Sequence, residues 1–160
     1  MKLDKVSISD HNKVVKAFEM ESDRGAAVLA GSLVENYLAR YMKSKMIDDG
    51  KIDELFNGFG PFVTFSQRYR SAYAFGLISI QQKQALSRIQ DIRNYFAHSP
   101  FIATFEEQKI SDLCKSISIK DLLPEGDNVD DYPNLSNRTR YMIAISLLVA
   151  DWEMKMAKKG

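Results

Sequence analysis

The sequence has few of the residues that hold small extracellular or metal-binding domains together. Cys114 is its single cysteine, so no intrachain disulfide can form. With one cysteine, two histidines and neither a CxxC nor an HExxH motif, the sequence contains no credible set of zinc ligands. We therefore predict no metal and no cofactor, and a Cys114 that is buried against neighbouring helices. A lone cysteine agrees with a reducing compartment, and the polar start of the chain is unlike a signal peptide, so we predict a cytoplasmic protein.

Proline, glycine and excess charge are scarce as well. Four prolines and eight glycines in 160 residues favour long helices over a β-fold with many turns. The longest apolar run, Met142 to Ala150, is too short to span a bilayer. The formal net charge is only +1, which predicts weak attraction to phosphate backbones and disfavours direct DNA binding.

What the chain does contain is apolar residues at three- and four-residue steps, the pattern of amphipathic helices. No segment alternates with period two over its length, and only 100–105 and 117–123 are left open as short strands. We predict an all-α protein, residues 1–160 forming a single helical domain, a bundle of six or seven helices. The predicted helices are Asp10–Met20, Asp23–Met46, a turn at Ile52–Phe56, one capped by Thr64 or Ser66, Ile80–Ala97, Phe105–Ile117 and Ser136–Lys158, with an exposed acidic loop at Pro124–Pro133.

Four segments share an order and spacing with a known family. They are Glu21-Ser22-Asp23-Arg24-Gly25-Ala26-Ala27, Phe65-Ser66-Gln67-Arg68, Tyr73-Ala74-Phe75-Gly76-Leu77-Ile78 and Ile92-Arg93-Asn94-Tyr95-Phe96-Ala97-His98-Ser99. Together they resemble the mannitol operon repressor family of bacteria, over residues 18–117, and the first and last segments are the specific ones. The resemblance implies a helical homodimer and a transcriptional regulator with no evident DNA-reading element. It therefore implies regulation through a protein partner, such as a transcription factor or another regulator.

The first and last segments also supply the candidate site. We expect the start of the helix at Asp23 to meet the end of the helix that closes at Ser99. One interpretation is structural: Ser22 or Asp23 caps the helix and Arg24 pairs with a carboxylate. The other is a cleft of ionisable groups, whose arginines would suit a small anionic metabolite and make the protein a sensor. The candidate binding cluster comprises Glu21, Ser22, Asp23, Arg24, Arg93, Asn94 and His98.

The segment from Arg93 to His98 also resembles the ribonuclease motif of HEPN domains, which are helical-bundle dimers that cleave RNA. In that alternative His98 is the general acid or base, Arg93 stabilises the phosphate and Asn94 orients the imidazole. An ideal helix points residues five apart about 140° away from each other, so a shared site needs a frayed helix end or a second copy. The structural alternative for His98 is a hydrogen bond to the backbone or to Asp23.

The remaining polar and aromatic residues have simpler interpretations. Phe65 to Arg93 can be scanned as a helix–turn–helix with Gly76 in the turn, although many helical hairpins share this pattern. Arg68 and Arg70 are interpreted as solvated surface residues. The side chains left to read bases would be Gln82, Lys83, Ser87, Arg88 and Gln90. The aromatic residues predicted to pack in the core are Phe59, Phe62, Phe65, Tyr69 and Tyr73.

Overall fold

Helices account for all the regular secondary structure in the computed structural model, which describes residues 13–128 and 134–158. This confirms the predicted all-α bundle, and no strand forms at 100–105 or 117–123. Within these ranges a 3₁₀ helix, Gly50–Phe56, accompanies seven α-helices. The α-helices are α1 (Lys13–Ala17), α2 (Asp23–Ser44), α3 (Phe65–Ala74), α4 (Ile80–His98), α5 (Gln108–Lys115), α6 (Ile119–Leu122) and α7 (Asn137–Ala157).

Helix starts follow local capping chemistry. Ser22 caps α2 by accepting a hydrogen bond from the Gly25 amide at 3.0 Å. Thr64, not Ser66, caps α3, and it forms a capping box with Gln67. Ser79 forms the same box with Gln82 at the start of α4. The predicted Asp10 cap, His11 and most of the tip of the acidic loop (129–133) lie outside the described residues.

The long helices α2, α4 and α7 form the centre of the bundle. Helices α2 and α7 run in the same direction. Tyr141 donates to the Ala27 carbonyl near the starts of the two helices, and farther along both of them Tyr37 donates to the Glu153 carboxylate. Helix α4 runs antiparallel to α2. Helices α4 and α7 pack closely against α2 because the inner face of α2 carries small buried residues, Ala26, Ala27, Ala30 and Gly31.

The core contains Cys114, which is fully buried, and most of the apolar residues predicted to face inward. Leu29, predicted on the inner stripe of α2, is 45% exposed instead. Two aromatic predictions are wrong. Phe59 is fully exposed because it lies in a turn after Gly58, whose φ is +59°. Tyr73 is 41% exposed, and the Lys83 ammonium lies 4.9 Å from the centre of its ring, so it packs at the surface of the α3–α4 hairpin. No helix in the described ranges is both long and apolar enough to cross a membrane.

Candidate functional site

The first turn of α2 meets the segment that follows α4. The Arg24 guanidinium donates from Nη2 to the carbonyls of Ser99 and Phe101, at 2.7 and 2.5 Å. Among the described residues Arg24 binds backbone oxygens. The structural interpretation had predicted that it pairs with a carboxylate. Because the two carbonyls lie two residues apart, this contact holds the turn between them against α2.

Asp23 ties three parts of the chain together beside that turn. Its carboxylate accepts from Arg138 at the start of α7 at 2.9 Å and from the Phe105 amide at 3.0 Å. Arg138 also donates to the Phe18 carbonyl at 2.7 Å, so α1 is held as well. The expected alternative partner, His98, makes no hydrogen bond with Asp23. We call the set formed by Ser22, Asp23 and Arg24 with these partners the tip junction.

The tip junction presents an apolar surface. Phe101 is 79% exposed and Ile102 is 91% exposed, whereas Ala103 and Phe105 directly after them are buried. Met20, four residues before Arg24 in the sequence, is also 96% exposed. We call Phe101 and Ile102 the tip patch. Sequence reasoning missed the patch, although two adjacent large apolar residues after Pro100 were a signal for it.

Arg93, on α4, contacts the middle of α2 and not the tip junction. Its guanidinium forms a short ion pair with Glu35, and both side chains are about four-fifths buried, with 17% and 21% exposed. The guanidinium also lies 5.3 Å from the centre of the Phe65 ring. Its aliphatic part packs beside Gly31, seven residues beyond Arg24, which corresponds to about 10 Å along α2. Arg93 is therefore not part of the tip junction.

Within one copy of the chain, Asn94 lies beside Arg93 and His98 does not. Asn94 lies within 3.4 Å of Arg93 Nη2, but His98 is exposed and has no hydrogen-bond partner among the described residues. Helix α4 stays regular through His98, so the two side chains point apart, as the helical geometry predicts. Glu21 is exposed, and its carboxylate lies beside Gly25 in the first turn of α2. The predicted cluster is thus divided between two places.

Glu35 joins Arg93 to a second buried arginine. Arg68 Nη1 lies 3.7 Å from the Glu35 carboxylate, and its Nε donates to the Phe62 carbonyl at 2.8 Å. Burial lowers the pKa of Arg68, and the charge of Glu35 opposes that change. The surface interpretation of Arg68 was wrong, whereas Arg70 is exposed. A carboxylate on the inward face of α2 was the available signal for this network.

Two of the candidate base-reading side chains on α4 form hydrogen bonds within the protein. Gln82 is buried and donates to Asp151 on α7 at 2.7 Å. Gln90 accepts from the Tyr69 hydroxyl at 2.7 Å. These contacts weigh against α4 as a recognition helix.

The comparisons with known proteins identify a fold. No protein-family model and no curated protein match the sequence. Among solved structures, the fold is similar to a chain in the X-ray structure of the MtlR–HPr complex from Escherichia coli, with a TM-score of 0.60 and 17% sequence identity. The match covers 90% of this chain and 98% of that chain. The chain therefore has an MtlR-like helical fold, which agrees with the fold that the family resemblance implied.

Proposed function

We propose that this protein is a regulatory protein of the mannitol operon repressor type that acts by binding a partner protein through the tip patch. The observation that carries the proposal is the exposed pair Phe101 and Ile102, held in place by the two hydrogen bonds from Arg24. Exposed apolar residues on an ordered segment are characteristic of protein-binding surfaces. An ordered segment also loses less conformational entropy on binding.

Exposed carboxylates on the segment that leads into the tip junction indicate the chemistry of the partner. Glu19 and Glu21 are exposed on either side of Met20, directly before the Ser22 cap. A complementary partner presents an apolar surface with basic residues at its rim. An HPr-type protein is the first candidate, because the structurally similar MtlR was crystallised with HPr.

The test is a calorimetric titration of the HPr of the same organism into the protein and three variants. We expect Phe101→Asp and Ile102→Asp to weaken binding by roughly tenfold or more, because each places a charge in the centre of the interface. Phe59→Asp is the matched control, since Phe59 is at least as exposed as Phe101 and Ile102 but lies in the turn after the 3₁₀ helix. Circular dichroism checks that all three variants fold.

Three results would contradict the proposal. The first is HPr binding that Phe101→Asp and Ile102→Asp leave unchanged, and the second is no HPr binding at all. The third is a sequence-specific, salt-sensitive shift of operator DNA by the purified protein alone, which would make it a direct DNA reader.

A further inference from the structure

We propose that a basic pocket on the C-terminal half of α2 binds a small phosphorylated metabolite of the sugar phosphate class. The pocket has a volume of about 330 Å³ and lies between α2, the end of the 3₁₀ helix and α3. None of its residues belongs to the tip junction or to the candidate cluster. The side chains that carry the inference are Asn36, Arg40, Lys43, Phe56, Asn57 and Arg68.

The basic side chains of the pocket are held in place before any ligand arrives. The Lys43 ammonium lies 4.9 Å, and the Arg68 guanidinium 5.7 Å, from the centre of the buried Phe56 ring. Arg68 is only 9% exposed and is fixed by the Phe62 carbonyl. Cations already positioned around one cavity bind an anion with little loss of side-chain entropy.

The charges in this region are unbalanced. Four basic side chains, Arg40, Lys43, Arg68 and Arg93, share two carboxylates. Glu35 serves both Arg68 and Arg93, and Asp53 pairs with Lys43 at 2.9 Å. Arg40 has no carboxylate within ion-pair distance among residues 13–128 and 134–158. A phosphate monoester, which carries about −1.5 to −2 at neutral pH, matches the excess of two positive charges.

The remaining lining favours a polar organic group on the phosphate. Asn36 provides amide donors and a carbonyl acceptor, the groups that hydroxyls need. Asn57 donates from Nδ2 to the Asp53 carbonyl at 2.9 Å and offers its side-chain carbonyl and its second N–H. The volume is at the small end of the range for metabolite sites, about 300 to 1,000 Å³, and exceeds what a lone phosphate needs.

The pocket is separate from the proposed partner surface. Arg40 lies sixteen residues beyond Arg24, about 24 Å along α2, so ligand binding and partner binding can be tested independently. Failure of HPr binding would leave this proposal intact, and failure of ligand binding would leave the partner proposal intact.

The experiment is a titration followed by ¹H–¹⁵N NMR with inorganic phosphate, glucose 6-phosphate and glucose, at constant ionic strength. We expect glucose 6-phosphate to shift the side-chain amide signals of Asn36 and Asn57 and to bind several-fold more tightly than phosphate, with no response to glucose. Arg40→Gln should weaken binding about tenfold or more, because it removes charge-assisted hydrogen bonds. Arg68→Lys should weaken it as well, because lysine cannot reproduce the fork of donors.

Arg70→Gln is the matched control, an exposed arginine on the same helix as Arg68 but outside this pocket. Arg70→Gln should bind glucose 6-phosphate as tightly as the unmodified protein does. The proposal is overturned by an absence of shifts at Asn36 and Asn57, by binding that Arg40→Gln does not weaken, or by equal affinities for phosphate and glucose 6-phosphate. Arg40 is exposed, and in residues 13–128 and 134–158 it has no ion-pair partner and lies 5.8 Å from the centre of the Tyr37 ring. Circular dichroism and urea denaturation check that Arg40→Gln folds, so that a loss of binding can be assigned to the lost guanidinium.

Discussion

At the scale of single residues, the most consequential side chain is Glu35. Its carboxylate lies between the guanidinium groups of Arg68 and Arg93, both of them largely buried. A buried charge is tolerated when a partner of opposite sign offsets the lost hydration. Arg93, a candidate for catalysis on the sequence pattern, therefore has a structural partner 58 residues away in the chain.

Replacing Glu35 tests this role. Glu35→Gln keeps the size of the side chain but leaves two buried arginines without a counter-charge. We expect the free energy of unfolding to fall by about 2 kcal/mol, a value below that for a fully buried pair because the side chains keep some exposure. Urea denaturation measures the change. Glu54→Gln, at an exposed glutamate, should stay within about 0.5 kcal/mol of the unmodified protein. Equal stabilities of the two variants would contradict this role of Glu35.

At the scale of helices, the close packing of α2 against its neighbours depends on one glycine. A Cβ atom added at Gly31 would lie 2.7 Å from Arg93 Cδ and 2.9 Å from the Tyr141 hydroxyl. These contacts come from α4 on one side and α7 on the other. Gly31 therefore sets the distance at which the three central helices meet.

Gly31→Ala separates helix propensity from packing. Alanine favours an isolated helix by up to about 1 kcal/mol, but here its methyl group must displace Arg93 and Tyr141. We expect a net destabilisation of about 1 to 3 kcal/mol, measured by thermal or urea unfolding. In Gly50→Ala the added Cβ would meet nothing within 4 Å, so that variant is the control and should be neutral. A stabilised Gly31→Ala protein would show that the helices can separate without cost.

At the scale of the whole molecule, the core encloses two acidic groups that stay protonated. Burial raises the pKa of the Cys114 thiol from 9.0 to about 12. Burial also raises the pKa of Tyr141, whose hydroxyl donates to the Ala27 carbonyl. Both groups ionise at lower pH in the unfolded chain than in the folded protein.

These buried groups predict how stability depends on pH. The unfolded chain loses its Cys114 proton near pH 9 and the folded protein holds that proton to about pH 12, so the stabilisation is complete below pH 9 and is lost between the two values. We expect the free energy of unfolding to fall by roughly 1 kcal/mol between pH 9 and 10. Urea denaturation at several pH values measures it, and Cys114→Ala should show a smaller fall. A flat profile up to pH 11 would contradict the assignment.

Local sequence information determined the helices and much of the core. Ser22, Thr64 and Ser79 begin helices because their hydroxyls accept from amides within three residues, an interaction that needs no tertiary structure. Leu86, Ile89, Ile92 and Phe96 are buried, as the three- and four-residue steps in the predicted helix Ile80–Ala97 imply, because helical periodicity places these side chains on one face. The same reasoning predicted that Cys114 would be buried.

Only the tertiary structure decided which polar groups meet. Helix periodicity gives the face on which Arg93 lies, but not that α2 would present Glu35 to it. Likewise, Arg24 holds Phe101 and Ile102 at the surface through carbonyls 75 and 77 residues away, and Arg68 is buried because the 3₁₀ helix and α2 cover it. Such pairings depend on how whole helices pack, which is set by the fit of the entire core and not by residues near in sequence.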